Sequence, residues 1–339
     1  MTAVIDPPSG PGSGLPSLGH YQLLERVGAG GLGEVYRARD TVHGRTVAIK
    51  RVPAALSADS VRAAALEQAA AQIETVSHPG IALLYECGIQ DSEMFLALEF
   101  VAGQRLSEII ADRPLHPRRA VEIALEVAEA LSALHAAGLL HGDLRPENIV
   151  ITTKGHAKLV DGGLAAFTAG GALRASAGAR LGGLPQSAAA TLRYLAPEQA
   201  AGEPTDQRSD VFPLGCVLYE MLTGRAAFDR PSADAIVLAV MQATPQRPSA
   251  TMANVPSELD LIATRALAKS LDRRYPTAAA LADDLRVAGS VLDAALATTE
   301  LPGAAPDRSR RPSAALIVVA ILLVALLIWW QRAALGALF

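Results

Sequence analysis

The sequence has few cysteines and few aromatic residues, and each scarcity excludes a class of protein. Its two cysteines, Cys87 and Cys216, are too few for a disulfide framework and lack metal-ligand spacing, so a reducing, cytosolic setting fits the main domain. Aromatic residues make up 4% and hydrophobic residues 50% of the 339 positions, so aliphatic side chains must fill most of the core. The net charge is −4, and no basic cluster lies among aromatic residues, so nucleic acid is not a predicted partner.

The amino terminus lacks the basic start and apolar run of a signal peptide. Residues 1–20 contain a stretch of Pro, Gly and Ser and are predicted to be a disordered leader. Residues 314–330 contain no charged side chain over 17 positions. As a helix they would span about 26 Å, near the lower limit for crossing a bilayer. Trp329, Trp330 and Arg332 suit the membrane interface.

The sequence therefore predicts a linker over 290–313, a transmembrane helix over 314–332 and a short extracytoplasmic tail over 333–339. A buried core helix is the alternative, but the linker-like residues before it offer no packing partner. Three arginines precede the span and one follows it, which places the main domain in the cytoplasm. Small residues within the span suggest pairing of two such helices in a homodimer; they are Ala314, Ala315, Ala320 and Ala325.

A glycine-rich turn follows a predicted strand over residues 21–27. Glycine lets a turn bring its backbone amides close to phosphate oxygens. The amides that could do so here belong to Gly28, Ala29, Gly30, Gly31 and Gly33. A dinucleotide-binding site uses the same letters, but it needs a helix after the glycines and an acidic residue about 20 positions further on. Val35 and Tyr36 instead favour a returning strand, so a hairpin lid is predicted.

Lys50 ends the apolar run Val47-Ala48-Ile49. A lysine in that place is normally the solvated end of a strand. However, only four of the 30 basic residues are lysines, so each retained lysine is more informative than usual. A compact ammonium group at this point can neutralise the phosphates of a nucleotide.

The segment from His141 to Asn148 carries the main chemical signal. Pro146 excludes regular helix and favours an extended Arg145, and residues 149–151 are predicted to be a buried strand. The segment therefore holds Asp143 and Asn148 on a rigid loop, where they suit a proton-accepting base and a metal ligand. The structural alternative is a loop with a capping aspartate and a turn asparagine.

These motifs, in this order, resemble the signature set of the protein kinase family. Gly28 to Val35 matches the glycine-rich loop, Val47 to Lys50 matches V-A-I-K, and His141 to Asn148 matches H-R-D-L-x-x-x-N with glycine for arginine. Asp161-Gly162-Gly163 matches D-F-G, and Ala196-Pro197-Glu198 matches A-P-E. The order of elements is similar to that of bacterial serine/threonine kinases with one transmembrane helix.

The resemblance implies an α+β, bilobal kinase fold over residues 21–289, plus the transmembrane helix. A small β-rich N-lobe would occupy 21–100 and a helical C-lobe 104–289. The resemblance also implies that Asp210 holds the backbone of the catalytic loop and that Arg274 pairs with Glu198. Pro213 would be tolerated within the first turn of the helix that begins near Asp210.

The resemblance also implies transfer of the ATP γ-phosphate to Ser or Thr hydroxyls of proteins. Asp143 would accept the hydroxyl proton, and Arg145 would replace the lysine that stabilises the transferring group. Lys50 would bind the phosphates, and Asn148 and Asp161 would hold Mg²⁺ or Mn²⁺. The adenine would lie among Val35, Ala48 and Val150 and against the hinge, where Leu98 is the gatekeeper and Glu99 and Val101 follow.

Two departures bear on activity. The helix glutamate that normally pairs with the strand lysine is expected at Ala69, whereas Glu67 and Glu74 are out of register. Gly162 replaces the phenylalanine of D-F-G, which predicts a more mobile segment. These departures motivate a second hypothesis, a membrane-tethered pseudokinase that binds ATP without transfer. A tail-anchored structural protein, the third hypothesis, predicts no ATP-dependent change in thermal stability.

Gly142 also removes the arginine that in many kinases binds a phosphorylated activation loop. We therefore expect the triple substitution of Thr168, Ser176 and Ser187 by Ala to leave activity within a few-fold of wild type. Initial rates of phosphotransfer measure this, and a collapse of activity would show that the loop is regulated by phosphorylation.

Overall fold

The computed structural model describes residues 17–30, 32–91, 93–111, 113–167 and 189–299. Six antiparallel strands form the first sheet in the order β1-β2-β3-β4-β6-β5. They are β1 Ser17–Leu18, β2 Tyr21–Gly30, β3 Gly33–Asp40, β4 Arg45–Arg51, β5 Leu84–Gln90 and β6 Glu93–Glu99. The predicted leader over 1–20 is therefore too long, because Leu18 is buried and pairs with Tyr21 at the edge of the sheet.

Alternation along β4 gives the sheet two different faces. Val47 and Ile49 are fully buried and pack against Tyr36 and Phe95 in a small cluster on one face. Successive side chains of a strand point to opposite faces. Ala48 and Lys50 therefore point to the other face, where they line a cleft.

Two helices, α1 Ala54–Ser57 and α2 Ser60–Ile73, cover part of the sheet. The sequence predicted one helix over residues 57–76, with Asp59 or Ser57 as its N-cap. The break falls at Asp59, whose side chain accepts hydrogen bonds from the backbone N–H groups of Val61 and Arg62, both at 3.1 Å. This is the geometry of an N-cap, which starts α2 in place of continuing α1. Leu66, Ala70 and Ile73 form the buried face of α2.

The second part of the fold is mostly helical. Its small sheet has the order β7-β8-β9, with β7 Gly103–Arg105, β8 Ile149–Thr152 and β9 Ala157–Leu159. Its helices are α3 Leu106–Ile110, α4 Pro117–Ala136, α5 Ala189–Leu192, α6 Pro197–Ala201, α7 Arg208–Thr223, α8 Ala233–Gln242, α9 Pro248–Thr251, α10 Ser257–Ala266 and α11 Ala278–Thr299. The described chain thus has the predicted α+β arrangement, a β-rich lobe followed by a helical lobe.

Helix α7 is the buried centre of the helical lobe, and fourteen of its side chains are buried. Pro213 lies inside this helix and beyond its first turn, so the expected placement within the first turn is wrong. Proline has no N–H to donate one turn back, which costs helix stability in isolation. Buried neighbours on all sides of α7 compensate for that loss.

The predicted pairing of Glu198 with Arg274 is confirmed. Both side chains are buried, and two N–H groups of Arg274 donate to the two carboxylate oxygens of Glu198 at 2.8 and 3.1 Å. The same guanidinium donates to backbone carbonyls of Ala268, Lys269 and Arg208. One arginine therefore ties α6 to α7 and to the loop after α10.

Lys269 lies beside this pair and over the rings of Phe228 and Phe212, at 3.9 and 4.9 Å from their centroids. Burial, together with the charge of Arg274, lowers the pKa of Lys269 from 10.5 to about 8. Between these two values the unfolded chain binds more protons, so stability should rise with pH. We expect the Lys269→Met variant to lose this rise, as measured by urea unfolding between pH 8 and 10.5. An identical pH dependence in both proteins would contradict this expectation.

Helix α11 continues through Thr299, so the predicted linker over 290–313 begins within a helix. No helix in the part of the chain that the structure describes is long and apolar enough to cross a membrane. The predicted span over 314–332 and the tail over 333–339 lie outside the described residues. So does the segment 168–188, which contains Thr168, Ser176 and Ser187.

Candidate active site

A cleft of about 330 Å³ lies between the large sheet and the helical lobe. Eleven of the residues singled out from the sequence line it: Ala29, Val35, Ala48, Lys50, Glu99, Val101, Asp143, Arg145, Asn148, Val150 and Asp161. Leu98, the predicted gatekeeper, also lines it. Strands β2, β3, β4 and β6 supply one wall, and the loops around β8 and after β9 supply the other.

Lys50 points into this cleft and forms an ion pair with Asp161. The side chain of Lys50 is 8% exposed and that of Asp161 is 20% exposed. A nearly buried charge is stable only when it is paired. The two residues are 111 positions apart, so the ion pair links β4 of the sheet to the segment after β9.

Helix α2 supplies no carboxylate to Lys50. Ala69 occupies the expected position of the glutamate, as the sequence indicated, and is half-buried. Glu67 and Glu74 are exposed, and their charges act on Cys87. Burial, together with the charges of these two glutamates, raises the pKa of Cys87 to about 11. Asp161 thus takes the place of a helix glutamate as the partner of Lys50.

Gly162 and Gly163 are closely packed where the family has a phenylalanine and a glycine. A β-carbon on Gly162 would lie 3.1 Å from Leu134, and one on Gly163 would lie 2.9 Å from Ile73. Side chains of α4 and α2 therefore pack close to the two glycines, where the family has a phenylalanine ring. Asp161 itself has a φ of 67°, a left-handed conformation that is uncommon outside glycine.

Asp210 holds the loop that carries Asp143. Its carboxylate accepts hydrogen bonds from the backbone N–H groups of His141 at 2.7 Å and Gly142 at 2.8 Å, and it contacts His135 Nε2 at 2.9 Å. Burial raises the pKa of Asp210, but the hydrogen bond to His135 and the charge of His141 outweigh burial and lower it. Asp210 therefore stays ionised, and the predicted anchoring of the catalytic loop is confirmed.

Gly142 has a backbone reason to be glycine. Its φ is 72°, and a β-carbon there would lie 2.9 Å from the β-carbon of Ala165. A side chain at this position would be strained and would collide with the short helix over Ala165–Phe167. The backbone conformation at this position therefore suits glycine and would be strained with the family's arginine. The sequence alone did not indicate this.

Asp143 and Asn148 are held by the same loop. The amide Nδ2 of Asn148 donates to the backbone carbonyl of Asp143 at 2.7 Å, and the backbone carbonyl of Asn148 accepts from Val160 at 3.0 Å. Arg145 Nε lies 3.5 Å from Asp143 Oδ1. The residues Asp143 and Asn148 are buried, and both line the cleft. The loop therefore presents a carboxylate and an amide at fixed positions.

The glycine-rich segment forms a hairpin, as predicted. Gly28 pairs with Val35 and Ala29 with Glu34 across β2 and β3, so no helix opens after the glycines and the dinucleotide-binding alternative is excluded. Gly33 has a φ of 115°, and a β-carbon there would lie 2.2 Å from the backbone oxygen of Arg51. Gly28, Gly30 and Gly33 do not line the cleft, and Gly31 is not among the described residues.

The side chain of Glu99 is already occupied at the hinge. It pairs with Lys158 and accepts a hydrogen bond from the backbone N–H of Leu83 at 3.2 Å. Its backbone is therefore the part that can face a ligand, next to Val101. No sequence pattern indicated this ion pair, since Lys158 lies on β9, beyond the loop from His141 to Asn148.

Several residues that line the cleft were not predicted as site residues. They are Val27, Ala82, Phe100, Gly103, Arg105, Glu108, Glu147, Val160 and Ala165. Most are apolar or small and are indistinguishable in sequence from ordinary core residues. Glu147 lies 3.8 Å from Arg145, and its place within the loop motif was the one signal available.

The cleft has the donor set that Mg²⁺ prefers. Asp161 and Asn148 both line it and offer carboxylate and amide oxygens. Lys50 beside them adds a positive charge suited to phosphate oxygens. The residues that line the cleft therefore fit a magnesium ion and a nucleoside triphosphate.

Comparisons with known proteins agree with this geometry. The protein kinase domain model matches residues 21–285. Serine/threonine-protein kinase PknB of Mycolicibacterium smegmatis is 37% identical over 270 residues, 78% of this chain and 42% of that protein. Probable serine/threonine-protein kinase SCO3848 of Streptomyces coelicolor is 36% identical over 276 residues, 79% of this chain and 39% of that protein. The chain thus spans about two fifths of the length of these relatives.

Solved structures show the same fold. The crystal structure of the Mycobacterium tuberculosis PknI kinase domain has a TM-score of 0.62 and 24% identity, and the match covers 82% of this chain and 99% of that one. At this identity the likeness concerns the fold alone. The family match over most of the chain, together with the bilobal fold and the cleft, shows to which family the chain belongs. The chain belongs to the protein kinase family.

Proposed function

We propose that this chain transfers the γ-phosphate of ATP to Ser or Thr hydroxyls of proteins. One observation carries the proposal: Lys50, Asp143, Asn148 and Asp161 line a single cleft between the two lobes. Phosphoryl transfer depends mostly on positioning and electrostatics, and these four groups are its minimum polar set. The similarity to serine/threonine-protein kinases supports the acceptor class.

In this proposal Asp143 orients the acceptor hydroxyl and accepts its proton. A general base must lie on a rigid element within hydrogen-bond reach of that proton. Asp210 supplies the rigidity, because it binds the two backbone N–H groups that precede Asp143. Arg145, 3.5 Å from Asp143, lies where its permanent charge can stabilise the transferring group.

Lys50 holds the phosphates beneath the glycine hairpin, of which Ala29 lines the cleft. Asp161 and Asn148 would hold the metal ion, which would supply positive charge to the phosphates. Val35, Ala48 and Val150 pack against the adenine, and the backbones of Glu99 and Val101 bind its polar edge. Asp161 must contact Lys50 and the metal ion together, because helix α2 offers the lysine no other carboxylate.

The test is transfer of γ-labelled phosphate by the purified chain to itself and to a generic basic protein, with Mg²⁺ or Mn²⁺. We expect phosphoserine or phosphothreonine, and no label after the metal ion is removed with EDTA. Label no higher than in the EDTA reaction, with ATP still raising the melting temperature, would contradict phosphotransfer. No effect of ATP on the melting temperature would contradict nucleotide binding itself.

A glutamate restored at position 69 should raise the rate. Ala69 lies one turn before Ile73, which packs on Gly163, so both side chains are on the face of α2 that meets the segment after Asp161. The Ala69→Glu carboxylate can then pair with Lys50 and release Asp161 for the metal ion. We expect initial rates several-fold higher and a lower Mg²⁺ requirement. Ala65→Glu, at an exposed position of the same helix, is the control, and equal rates in all three proteins would contradict this role of Asp161.

We further propose that residues 314–332 anchor the chain in a lipid bilayer with the kinase domain in the cytoplasm, and that the small residues of the span allow a homodimer. The uncharged 17-residue run and its flanking arginines support this. The chain should remain in carbonate-washed membranes, and Leu323→Arg in the middle of the run should release it. Wild-type protein in the supernatant would contradict the anchor.

A further inference from the structure

A histidine–aspartate cluster lies at the edge of the large sheet, away from the cleft. Among the described residues one group brings three potential metal ligands within 4.8 Å of one another: His20, Asp40 and His43. Tyr21 pairs with Asp40 at one end of the β2–β3 hairpin, and Gly30 pairs with Gly33 at the other. Along the seven residue steps from Gly33 to Asp40, the cluster is therefore roughly 23 Å from the glycine turn.

The donor atoms have separations that suit a small tetrahedral ion. His43 Nδ1 lies 2.9 Å from Asp40 Oδ2, and His20 Nε2 lies 3.5 Å from Asp40 Oδ1. Ligands at zinc–nitrogen and zinc–oxygen distances near 2.0 Å are about 3.3 Å apart in a tetrahedron. The observed separations fall on either side of that value. The two distances end on different oxygens of the Asp40 carboxylate, and the ligand atoms of all three residues lie within 4.8 Å of one another. Rotation of the exposed His43 ring and of the His20 ring would bring the three donors closer to one ion.

The carboxylate is already fixed and ionised. Asp40 is fully buried, and Oδ1 accepts hydrogen bonds from the backbone N–H groups of Val42 and His43 at 3.1 and 3.0 Å. Asp40 Oδ2 accepts a hydrogen bond from Arg45 Nε at 2.9 Å and contacts His43 Nδ1 at 2.9 Å. The guanidinium of Arg45 also lies over the ring of Tyr85.

One ligand atom lacks a hydrogen bond. His20 Nε2 is buried and has no hydrogen-bond partner, only the 3.5 Å contact with Asp40. A buried polar nitrogen without a partner is costly, and the usual resolution is a donor, a water or a metal ion. His43 is 59% exposed, so its ring can turn towards an incoming ion without disturbing the core.

We propose that His20, Asp40 and His43 bind one Zn²⁺, with water as the fourth ligand. Two imidazole nitrogens and one carboxylate oxygen are a zinc ligand set, whereas Mg²⁺ prefers oxygen ligands alone. The ion would join the β1–β2 turn to the β3–β4 turn and so fix the outer edge of the N-lobe. This site does not depend on the proposed phosphotransfer.

The test is titration of the purified full chain with Zn²⁺, followed by calorimetry and melting temperature. We expect one ion per chain, a higher melting temperature with Zn²⁺ but not with Mg²⁺, and a visible absorption band when Co²⁺ replaces Zn²⁺. His43→Ala and His20→Gln should each weaken binding by roughly tenfold or more, the loss usual when a metal site is perturbed. His156→Ala, at an exposed histidine of the helical lobe, and Asp161→Asn, in the cleft, should leave the affinity unchanged.

Equal affinity in the wild type and His43→Ala would overturn the site. So would a loss of binding in His156→Ala or Asp161→Asn as large as in His43→Ala, since the ion would then be held elsewhere. If His43→Ala lowers the melting temperature without metal, Co²⁺ absorption of the folded variant still distinguishes the outcomes. A retained band overturns the site, and a lost band supports it.

Discussion

Replacement of Asp143 by Asn is expected to lower the rate of phosphotransfer by about 10²–10⁴-fold, the usual contribution of a general base. Asparagine has nearly the same shape but cannot accept the hydroxyl proton. The backbone of the loop should be unchanged, because Asn148 and Asp210 bind backbone atoms around position 143 and not its carboxylate. The ATP-dependent rise in melting temperature should therefore persist. Initial rates and thermal shifts on the same preparation measure both effects.

Asp91→Asn is the matched control for this substitution. Asp91 lies in the exposed turn between β5 and β6 with a φ of 51°, a conformation that asparagine tolerates well. The Asp91→Asn variant should transfer phosphate at the rate of the wild type. If Asp143→Asn retains a rate within a few-fold of wild type, proton acceptance by Asp143 is wrong, and another group activates the hydroxyl.

Replacement of Arg274 by Met is expected to lower the free energy of unfolding by about 3–5 kcal/mol, the cost of leaving one member of a buried ion pair alone. Glu198 would remain buried without its partner, and three backbone carbonyls would lose their donor. Burial raises the pKa of Glu198, but its bonds to Arg274 outweigh burial and lower it. In the wild type this contribution is present above the unfolded pKa and is lost as pH falls through the folded value. Urea unfolding at neutral and acidic pH measures it.

Two variants make this prediction specific. Arg286→Met removes an arginine whose partners, Glu129 and Asp283, are on the surface, so stability should change little. The double variant Glu198→Gln, Arg274→Met removes the unpaired charge and should recover part of the loss. A loss in Arg274→Met no larger than in Arg286→Met would contradict the structural importance of the buried pair.

The order of motifs predicted the bilobal fold, the cleft and most of its polar residues. This worked because each motif fixes local geometry. Alternation along β4 puts Ala48 and Lys50 on one face, and Gly33 needs a positive φ. Pro146 begins a single 3₁₀ turn, Pro146–Asn148, and keeps regular α-helix out of the loop. Pairing of Arg274 with Glu198 also followed from the resemblance, although 76 positions separate the two residues.

The departures from the family could be seen in the sequence, but their structural consequences could not. The register of α2 indicated that Lys50 lacks a helix glutamate, yet only the fold shows Asp161 as its partner. Gly162 in place of phenylalanine predicted a more mobile segment, and in the fold Leu134 and Ile73 pack against Gly162 and Gly163. Such contacts depend on how α2 and α4 approach one another, which no local pattern records.

Some boundaries were wrong for the same reason. The Pro- and Gly-rich composition predicted a disordered leader through residue 20, but pairing with β2 recruits Ser17 and Leu18 into the sheet. Pro213 was expected in a first turn, but the packing of α7 accommodates it further in. Long-range contacts outweighed local preference at both places.

Intact-mass spectrometry of a Ser/Thr acceptor protein, incubated with ATP, Mg²⁺ and the purified wild-type chain, tests the central claim most directly. We expect phosphorylated acceptor on Ser or Thr with wild type and almost none with Asp143→Asn, while ATP raises the melting temperature of both proteins. Equal, background levels of phosphorylated acceptor in the two reactions, with ATP still stabilising both proteins, would contradict it.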